Sequence, residues 1–261
     1  MNQIYNKSSQ QYCINTTTGA PSIASMHYHN TYDIYYMESG RREYFVEDKI
    51  FTASTGNFVL IKAYSFHQIG KGNLLRTFVS FTDDFLENTF SPAAVAKLVK
   101  CFDTPLICPT EEEQTEYKNL LKVLAKCKDS TTFALNLGML LLKFSNTSSE
   151  QLHEDRISNI VRYINEHFSE IYSLNQIADH MHISKQHLCR LFKQSMNMTL
   201  IDYLNKIKIK NACAFLETTD ISMTEICLKC GFGSSAYFST IFKNNTGMTP
   251  LKYRQANRNQ N

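Results

Sequence analysis

His27, His29, Asp33 and His67 are residue types that ligate transition metals, and three imidazoles with a carboxylate suit Fe, Mn or Ni. Their plainer use is to line a pocket mouth or to satisfy local hydrogen bonds, and on that reading no metal and no other cofactor is expected. Far downstream, Gln186, His187 and Arg190 offer the donors and acceptors that pair with base edges, while Ser184, Lys185 and Lys193 suit phosphates. A second set, Ser234, Ser235, Tyr237, Thr240 and Lys243, offers shorter hydroxyl groups and one more cation. Any solvated helix face has a similar composition, so these residues gain meaning only from the elements that carry them. Cys227 and Cys230 form a C-x-x-C, but no second pair stands at zinc-ribbon spacing. All 8 cysteines are read as reduced thiols, several of them apolar fillers on helix faces. No catalytic residue is assigned, and the chain is read as a non-enzyme.

The 261 residues suggest roughly two domains of about 100 to 200 residues each. With 43% hydrophobic and 20% charged residues the composition is globular, which excludes a disordered or collagen-like chain. No apolar run approaches the ~20 residues of a membrane span, and the start MNQIYNKSSQQ lacks a signal-peptide layout. A cytoplasmic protein without membrane contact is expected. The polar stretch 145–155 divides two compositions. Residues 1–155 hold 14 Lys+Arg and 17 Asp+Glu, net −3, whereas residues 156–261 hold 13 and 7, net +6. A concentrated positive field favours a polyanion, most often nucleic acid.

Helical spacing runs through the basic part. Ile157, Ile160, Val161, Ile164 and Phe168 mark one helix. Ser173, followed by Gln176, opens a short second helix with Leu174, Ile177, Ala178 and Met181 inward. Ser184 then caps a third, with Leu188, Leu191 and Phe192 inward and Lys185, Gln186, Cys189, Arg190 and Lys193 outward, a helix-turn-helix order. The order recurs. Ser222, Ile226 and Cys227 start a short helix, Gly231 supplies the turn, and a longer helix is expected to bury Tyr237, Phe238, Ile241 and Phe242. HLCRLFKQSMNMT (187–199) and YFSTIFKNNTGMT (237–249) align without gaps, 50 residues apart. A helix over about 199–216 is predicted between the copies, a strut of roughly 27 Å suited to the ~34 Å spacing of successive major grooves.

The stretch Ile226, Gly231, Phe232, Tyr237, Phe238, Phe242, Lys243, Gly247, Thr249, Pro250, Tyr253 and Arg254 resembles the AraC/XylS family of bacterial transcription regulators. The resemblance covers about 100 residues and implies a seven-helix DNA-binding domain with base contacts on the exposed faces of its two longer helices. Lys208 stands where the family usually has Arg, and Asn197 where the first repeat usually has Gly. Both departures bear on local packing.

Upstream, residues 32–37, 42–46, 49–52, 58–61 and 75–81 are rich in β-branched and aromatic residues. Turn signals at Ser39-Gly40, Glu47-Asp48, Thr55-Gly56 and Lys71-Gly72-Asn73 separate them. Short antiparallel strands at this spacing suggest a small double-sheet barrel. His27, His29, Asp33, Gly40, Gly56 and His67 fall at the spacings of the two cupin motifs, with Lys62 and Tyr64 in place of the usual Pro and Gly. The barrel is read as an effector pocket with His27, His29, Tyr35, Tyr44 and His67 as candidate lining. Tyr32, Tyr36 and Tyr64 are further candidates to stack on a sugar-like ligand, and Arg41, Arg42, Lys62 or Arg76 suit an anionic one. Two apolar helical stripes follow, Leu120/Leu121/Leu124/Cys127 and Phe133/Leu137/Leu140/Leu141/Phe144, which cover the barrel or pair two chains. Glu111-Glu112-Glu113 fits a helix N-terminus.

The expected fold is therefore α+β. Residues 1–150 form a cupin-like β-barrel (double-stranded β-helix) with two flanking helices, for effector binding and dimerisation, and residues 156–258 form an all-α double helix-turn-helix domain. The expected function is a sequence-specific transcription regulator, an activator by family analogy, that responds to a small sugar-like metabolite. Expected partners are double-stranded DNA, the effector, a second copy of the chain and, by family analogy, RNA polymerase. The expected location is the bacterial cytoplasm, at the nucleoid when DNA is bound. Two other readings stay open: a metal-dependent cupin enzyme with an accessory DNA-binding domain, and a ligand-independent regulator whose barrel only dimerises.

Overall fold

Alternation in one strand organises the N-terminal part of the computed structural model, which describes residues 5–6, 11–18, 23–70, 74–147 and 156–258. The strand is β4 (Tyr32–Val46). Its Ile34 and Tyr36 join a core with Phe58, Leu60 and the helices that follow, while Tyr35 and Met37 join a second core with Val59 and Ile61. Side chains two apart share a face, so one strand feeds both cores. The remaining strands are β1 (Tyr5–Asn6), β2 (Tyr12–Thr18), β3 (Ile23–His29), β5 (Lys49–Ser54), β6 (Phe58–Ile61), β7 (His67–Ile69), β8 (Leu74–Phe81) and β9 (Leu106–Ile107). All pairs are antiparallel except β1 with β3.

The expected break at Ser39-Gly40 is not a turn. β4 runs through it, pairing with β6 and β8 over its first half and with β5 and β7 over its second. Gly40 takes φ 89° and the register shifts between Met37 and Ser39, so the Ser-Gly signal marks a bulge that bends the strand. The sheet folds over on itself, and Tyr44, Val46, Phe51, Ala53 and Ile69 from the second half meet Tyr35 and Met37 in the inner core.

Two short helices, α1 (Asp83–Glu87) and α2 (Pro92–Leu98), and a 3-10 turn at Val99–Asp103 follow β8. They are capped by Thr82 and Ser91. α3 (Glu111–Lys126) opens on a capping box between Thr110 and Glu113, which places the triple glutamate in the first turn, as expected. α3 and α4 (Ser130–Asn146) bury Tyr117, Leu121, Leu124, Phe133, Leu137, Leu141 and Phe144 against the outer face of the sheet.

Residues 156–258 form a second unit, separate from 5–147. From position 148 the polar stretch 145–155 lies outside the described residues, as does the Lys71-Gly72-Asn73 turn. The second unit has seven helices among its described residues: α5 (Arg156–His167), α6 (Leu174–His180), α7 (Lys185–Met196), α8 (Leu200–Thr218), α9 (Met223–Lys229), α10 (Ser235–Thr246) and α11 (Pro250–Arg258). α8 has 19 residues, about 28 Å at 1.5 Å per residue. It contacts α7, α9, α10 and α11.

Burial lowers the Lys206 ammonium on α8 to about 8, with Asp202 partly opposing. Between pH 8 and the ordinary lysine value near 10.4 the unfolded chain holds more protons than the folded one, so stability from this group rises with pH across that window. Thermal melts of the parent chain and Lys206→Met at pH 7.5 and 9.5 are expected to show a smaller pH slope in the variant.

Candidate functional sites

The two helix-turn-helix units are built by the same local chemistry. The Ser184 side chain accepts a hydrogen bond from the His187 backbone N–H at 3.2 Å, and Ser234 accepts from Tyr237 at 3.2 Å. Each short helix ends in a left-handed turn, at His182 (φ 53°) and Gly231 (φ 68°). In both turns the next residue donates back to the short helix, Ile183 to the Ala178 carbonyl and Phe232 to the Cys227 carbonyl, each at 3.0 Å. The longer helices also end alike, with Asn197 at φ 49° and Gly247 at φ 83°. Asn tolerates this conformation, so the departure at Asn197 keeps the cap.

The repeat is not a single shift. Short helices and turns match at 49 residues (Ser173 with Ser222, Ile177 with Ile226, His182 with Gly231), whereas the longer helices match at 50 (Ser184 with Ser234, Phe192 with Phe242). The second turn therefore carries one extra residue. Gly233 lies there, exposed, with nothing within 4 Å of where its Cβ would stand.

At the 50-residue shift, Gln186, Arg190 and Lys193 on α7 coincide with Ala236, Thr240 and Lys243 on α10, and all six are exposed. Their i, i+4, i+7 spacing puts each trio on one helix face. Lys185, Ser184, Ser234 and Ser235 are exposed at the helix starts, and His187 is half-buried. The Arg190 guanidinium donates to His187 Nδ1 at 3.2 Å, which braces it along the helix. The Thr240 hydroxyl donates to the Ala236 carbonyl at 3.0 Å. Tyr237 is 46% exposed, not buried as expected, and its hydroxyl accepts from Asn205 on α8 at 3.3 Å. It stands three residues after the capping Ser234, and its neighbour Phe238 takes the core. Ile241 and Leu191 are half-buried.

Lys208 on α8 is 5% exposed and donates from Nζ to the Gly231 carbonyl at 2.6 Å and the Ile171 carbonyl at 2.9 Å. It ties the entry of the first unit to the turn of the second. Sequence reasoning noted Lys208 only as a departure in packing, because its partners are backbone atoms. Cys227 and Cys230 are buried free thiols, and burial, with Cys227 alongside, pushes Cys230 up to about 12. They are core residues of the second unit.

In the N-terminal unit, His27, His67, Asp33, Tyr35 and Tyr44 are buried and His29 is half-buried. Asp33 accepts from the Thr31, Ser80 and Tyr35 hydroxyls at 3.0, 2.7 and 3.0 Å and lies 3.2 Å from His29 Nε2. Burial works against charge on both partners, yet their mutual attraction prevails, holding His29 above and Asp33 below their ordinary values. The Arg76 guanidinium lies 4.4 Å over the Tyr35 ring. Arg42 is buried, Arg41 is exposed, and Lys62 pairs with Asp103 at 3.0 Å. Tyr32 and Tyr36 point the other way, into the core beneath the helices, and Tyr64 is exposed. No helix among the described residues is long and apolar enough to cross a membrane.

A helix-turn-helix domain family matches residues 177–256. The chain is 32% identical over 146 residues to the HTH-type transcriptional activator RhaS of an Enterobacter species, covering 56% of this chain and 51% of that protein. It thus spans about half the length of this curated relative. A transcriptional regulator with an AraC-type DNA-binding domain from Chromobacterium violaceum is 30% identical over 38% of this chain and 88% of that one, with TM-score 0.35. The DNA-binding domain of AdpA in complex with a target DNA is 26% identical over 41% of this chain and 96% of that one, with TM-score 0.39. The doubled helix-turn-helix of residues 174–246, the family match over 177–256 and the RhaS similarity make this part of the chain similar to the DNA-binding domains of AraC-type transcription regulators.

Proposed function

We propose that this protein is a sequence-specific DNA-binding transcription regulator whose helices α7 and α10 enter successive major grooves. The observation that carries the reading is the equivalence of their exposed faces, Gln186/Arg190/Lys193 and Ala236/Thr240/Lys243, at one helical position after another. Gln and Arg supply bidentate contacts to adenine and guanine, Ala236 and the Thr240 methyl suit thymine methyl groups, and the two lysines hold phosphates. The name of the RhaS relative supports activation as the sign of regulation.

Arg190→Ala is expected to weaken binding to a selected site by ~1 to 3 kcal/mol and to relax specificity at one base pair. Lys243→Ala is expected to weaken all sequences alike and to lower the salt slope by about 1. Anisotropy titrations on a selected site and a scrambled one, at two salt concentrations, separate the two effects. Equal losses of Arg190→Ala on both sequences would remove Arg190 as a base reader, and no preference of the parent chain for any sequence would sink the regulator.

The folded sheet is read as a cupin-like barrel for a small polar, sugar-like effector, with Tyr35 and Tyr44 as candidate lining and Arg76 4.4 Å over the Tyr35 ring. A second copy of the chain is its partner through α4, where Leu135, Met139 and Leu142 are 51%, 59% and 45% exposed at i, i+4 and i+7. That spacing is a seam for a second helix. Residues 1–150 are thus assigned to sensing and pairing, and 156–258 to DNA.

A further inference from the structure

The interior of the folded sheet holds a cluster that DNA binding does not use. One ring nitrogen from each of His27, His29 and His67 lies within 4.8 Å of the others. Ring centroids are 4.2 Å apart for His27 and His67, 4.8 Å for His29 and His67, and 5.8 Å for His27 and His29. The backbone sets this geometry: His27 and His67 are register partners across β3 and β7, and His29, two residues on, shares the face of His27.

Hydrogen accounting decides which atoms face inward. His67 Nδ1 lies 3.0 Å from the Ser65 carbonyl, an acceptor only, so Nδ1 carries the hydrogen and Nε2 is a bare lone pair. That Nε2 is buried in a side chain with 0% exposure and has no hydrogen-bond partner. His29 Nδ1 lies 3.1 Å from the Thr31 carbonyl and 2.8 Å from the Thr31 hydroxyl oxygen. The Thr31 hydroxyl spends its own hydrogen on Asp33 Oδ1, so Nδ1 of His29 is again the donor. His29 Nε2 then faces Asp33 Oδ2 at 3.2 Å, where a neutral ring offers only a lone pair to a carboxylate. A cation belongs at this edge, either a proton or a metal ion.

We propose that His27, His29 and His67 bind one divalent transition cation of the zinc, cobalt, nickel or iron(II) class, with Asp33 Oδ2, 3.2 Å from His29 Nε2, as the carboxylate beside the cation. Imidazole suits these ions. Backbone carbonyls that hold the Nδ1 hydrogens of His29 and His67 are the support that metal-binding histidines use, fixing the tautomer and aiming Nε2. Bonds of about 2.1 Å bring ligand nitrogens to roughly 3.0 to 3.5 Å from one another, so the triad closes by up to about 1.5 Å on binding. Three protein ligands leave a position open for a water or an effector oxygen. The proposal stands on the N-terminal unit alone and does not depend on the DNA-binding reading.

The test uses the full chain, free of any histidine tag, stripped with chelator and titrated with Co²⁺. The expected result is one Co²⁺ per chain with visible d–d absorption and no near-ultraviolet thiolate band. His67→Gln and, separately, His27→Gln are expected to lose more than about 100-fold in Co²⁺ affinity, and Asp33→Asn about 10-fold with a shifted d–d band, each with unchanged circular dichroism. If one glutamine variant does not fold, the other and the parent titration still decide. Absence of stoichiometric Co²⁺ in the folded parent chain overturns the proposal, as does binding unchanged in the glutamine variants. A thiolate band that marks Cys227 and Cys230 as the site overturns it too.

Discussion

Replacing Lys208 by methionine is expected to remove about 3 kcal/mol from the stability of the C-terminal unit. Methionine keeps much of the stem volume and removes the cost of burying an ammonium group, whose ordinary value burial already lowers. Against that gain, the carbonyls of Ile171 and Gly231 both lose the donor at 2.9 and 2.6 Å. A buried carbonyl without a partner costs about 1 to 3 kcal/mol, so two of them outweigh the relief. Lys208→Arg supplies donors to both carbonyls and is expected to recover most of the loss. Hydrogen exchange of the full chain read by mass spectrometry reports the two units separately, and lost protection around 171–178 and 226–232 is the expected signature. Unchanged protection in Lys208→Met would mean that the two carbonyls find other partners.

Gly231→Ala is expected to cost a similar amount, about 3 kcal/mol, for a different reason. At φ 68° an L-residue is strained by roughly 1 to 2 kcal/mol. A Cβ would also stand 2.3 Å from the Ser169 carbonyl oxygen and 2.8 Å from the Ser169 Cα, backbone atoms with no rotamer to yield. His182, the matching position in the first unit, takes φ 53° with its side chain in solvent, so the turn itself tolerates a side chain and the close approach does not. Moving the 169–171 segment away from a new methyl group also draws the Ile171 carbonyl from Lys208. The two substitutions should therefore be less than additive in the double variant, and full additivity would show that the clash and the ammonium contacts are independent.

These contacts illustrate where the sequence is readable and where it is not. α5 to α10 were legible because each buries one stripe at helical period and most open on a serine or threonine cap. The exposed trio Gln186, Arg190 and Lys193 followed from the same periodicity. Gly233 was not legible as an insertion, since a turn has no period to violate, and the 49-residue match of the short helices was hidden behind the 50-residue match of the long ones. Ser39-Gly40 carries the same signal for a hairpin and for a bulge, and only the pairing of β4 with four other strands separates them. β2 escaped notice because Asn15 to Thr18 are exposed and polar, without alternation. The histidine spacing was visible, but the Ser65 and Thr31 carbonyls that set the tautomers are backbone groups with no mark in composition.

Gly233 and the unlike side chains of α7 and α10 give the proposed DNA site a head and a tail. Arg190 and Gln186 would read one groove and Ala236 and Thr240 the next, so a half-site turned end for end presents its guanine to a threonine and its thymine to an arginine. Each half-site then acts as an arrow along the promoter, and one placed backwards is expected to fail even when every base of it is present.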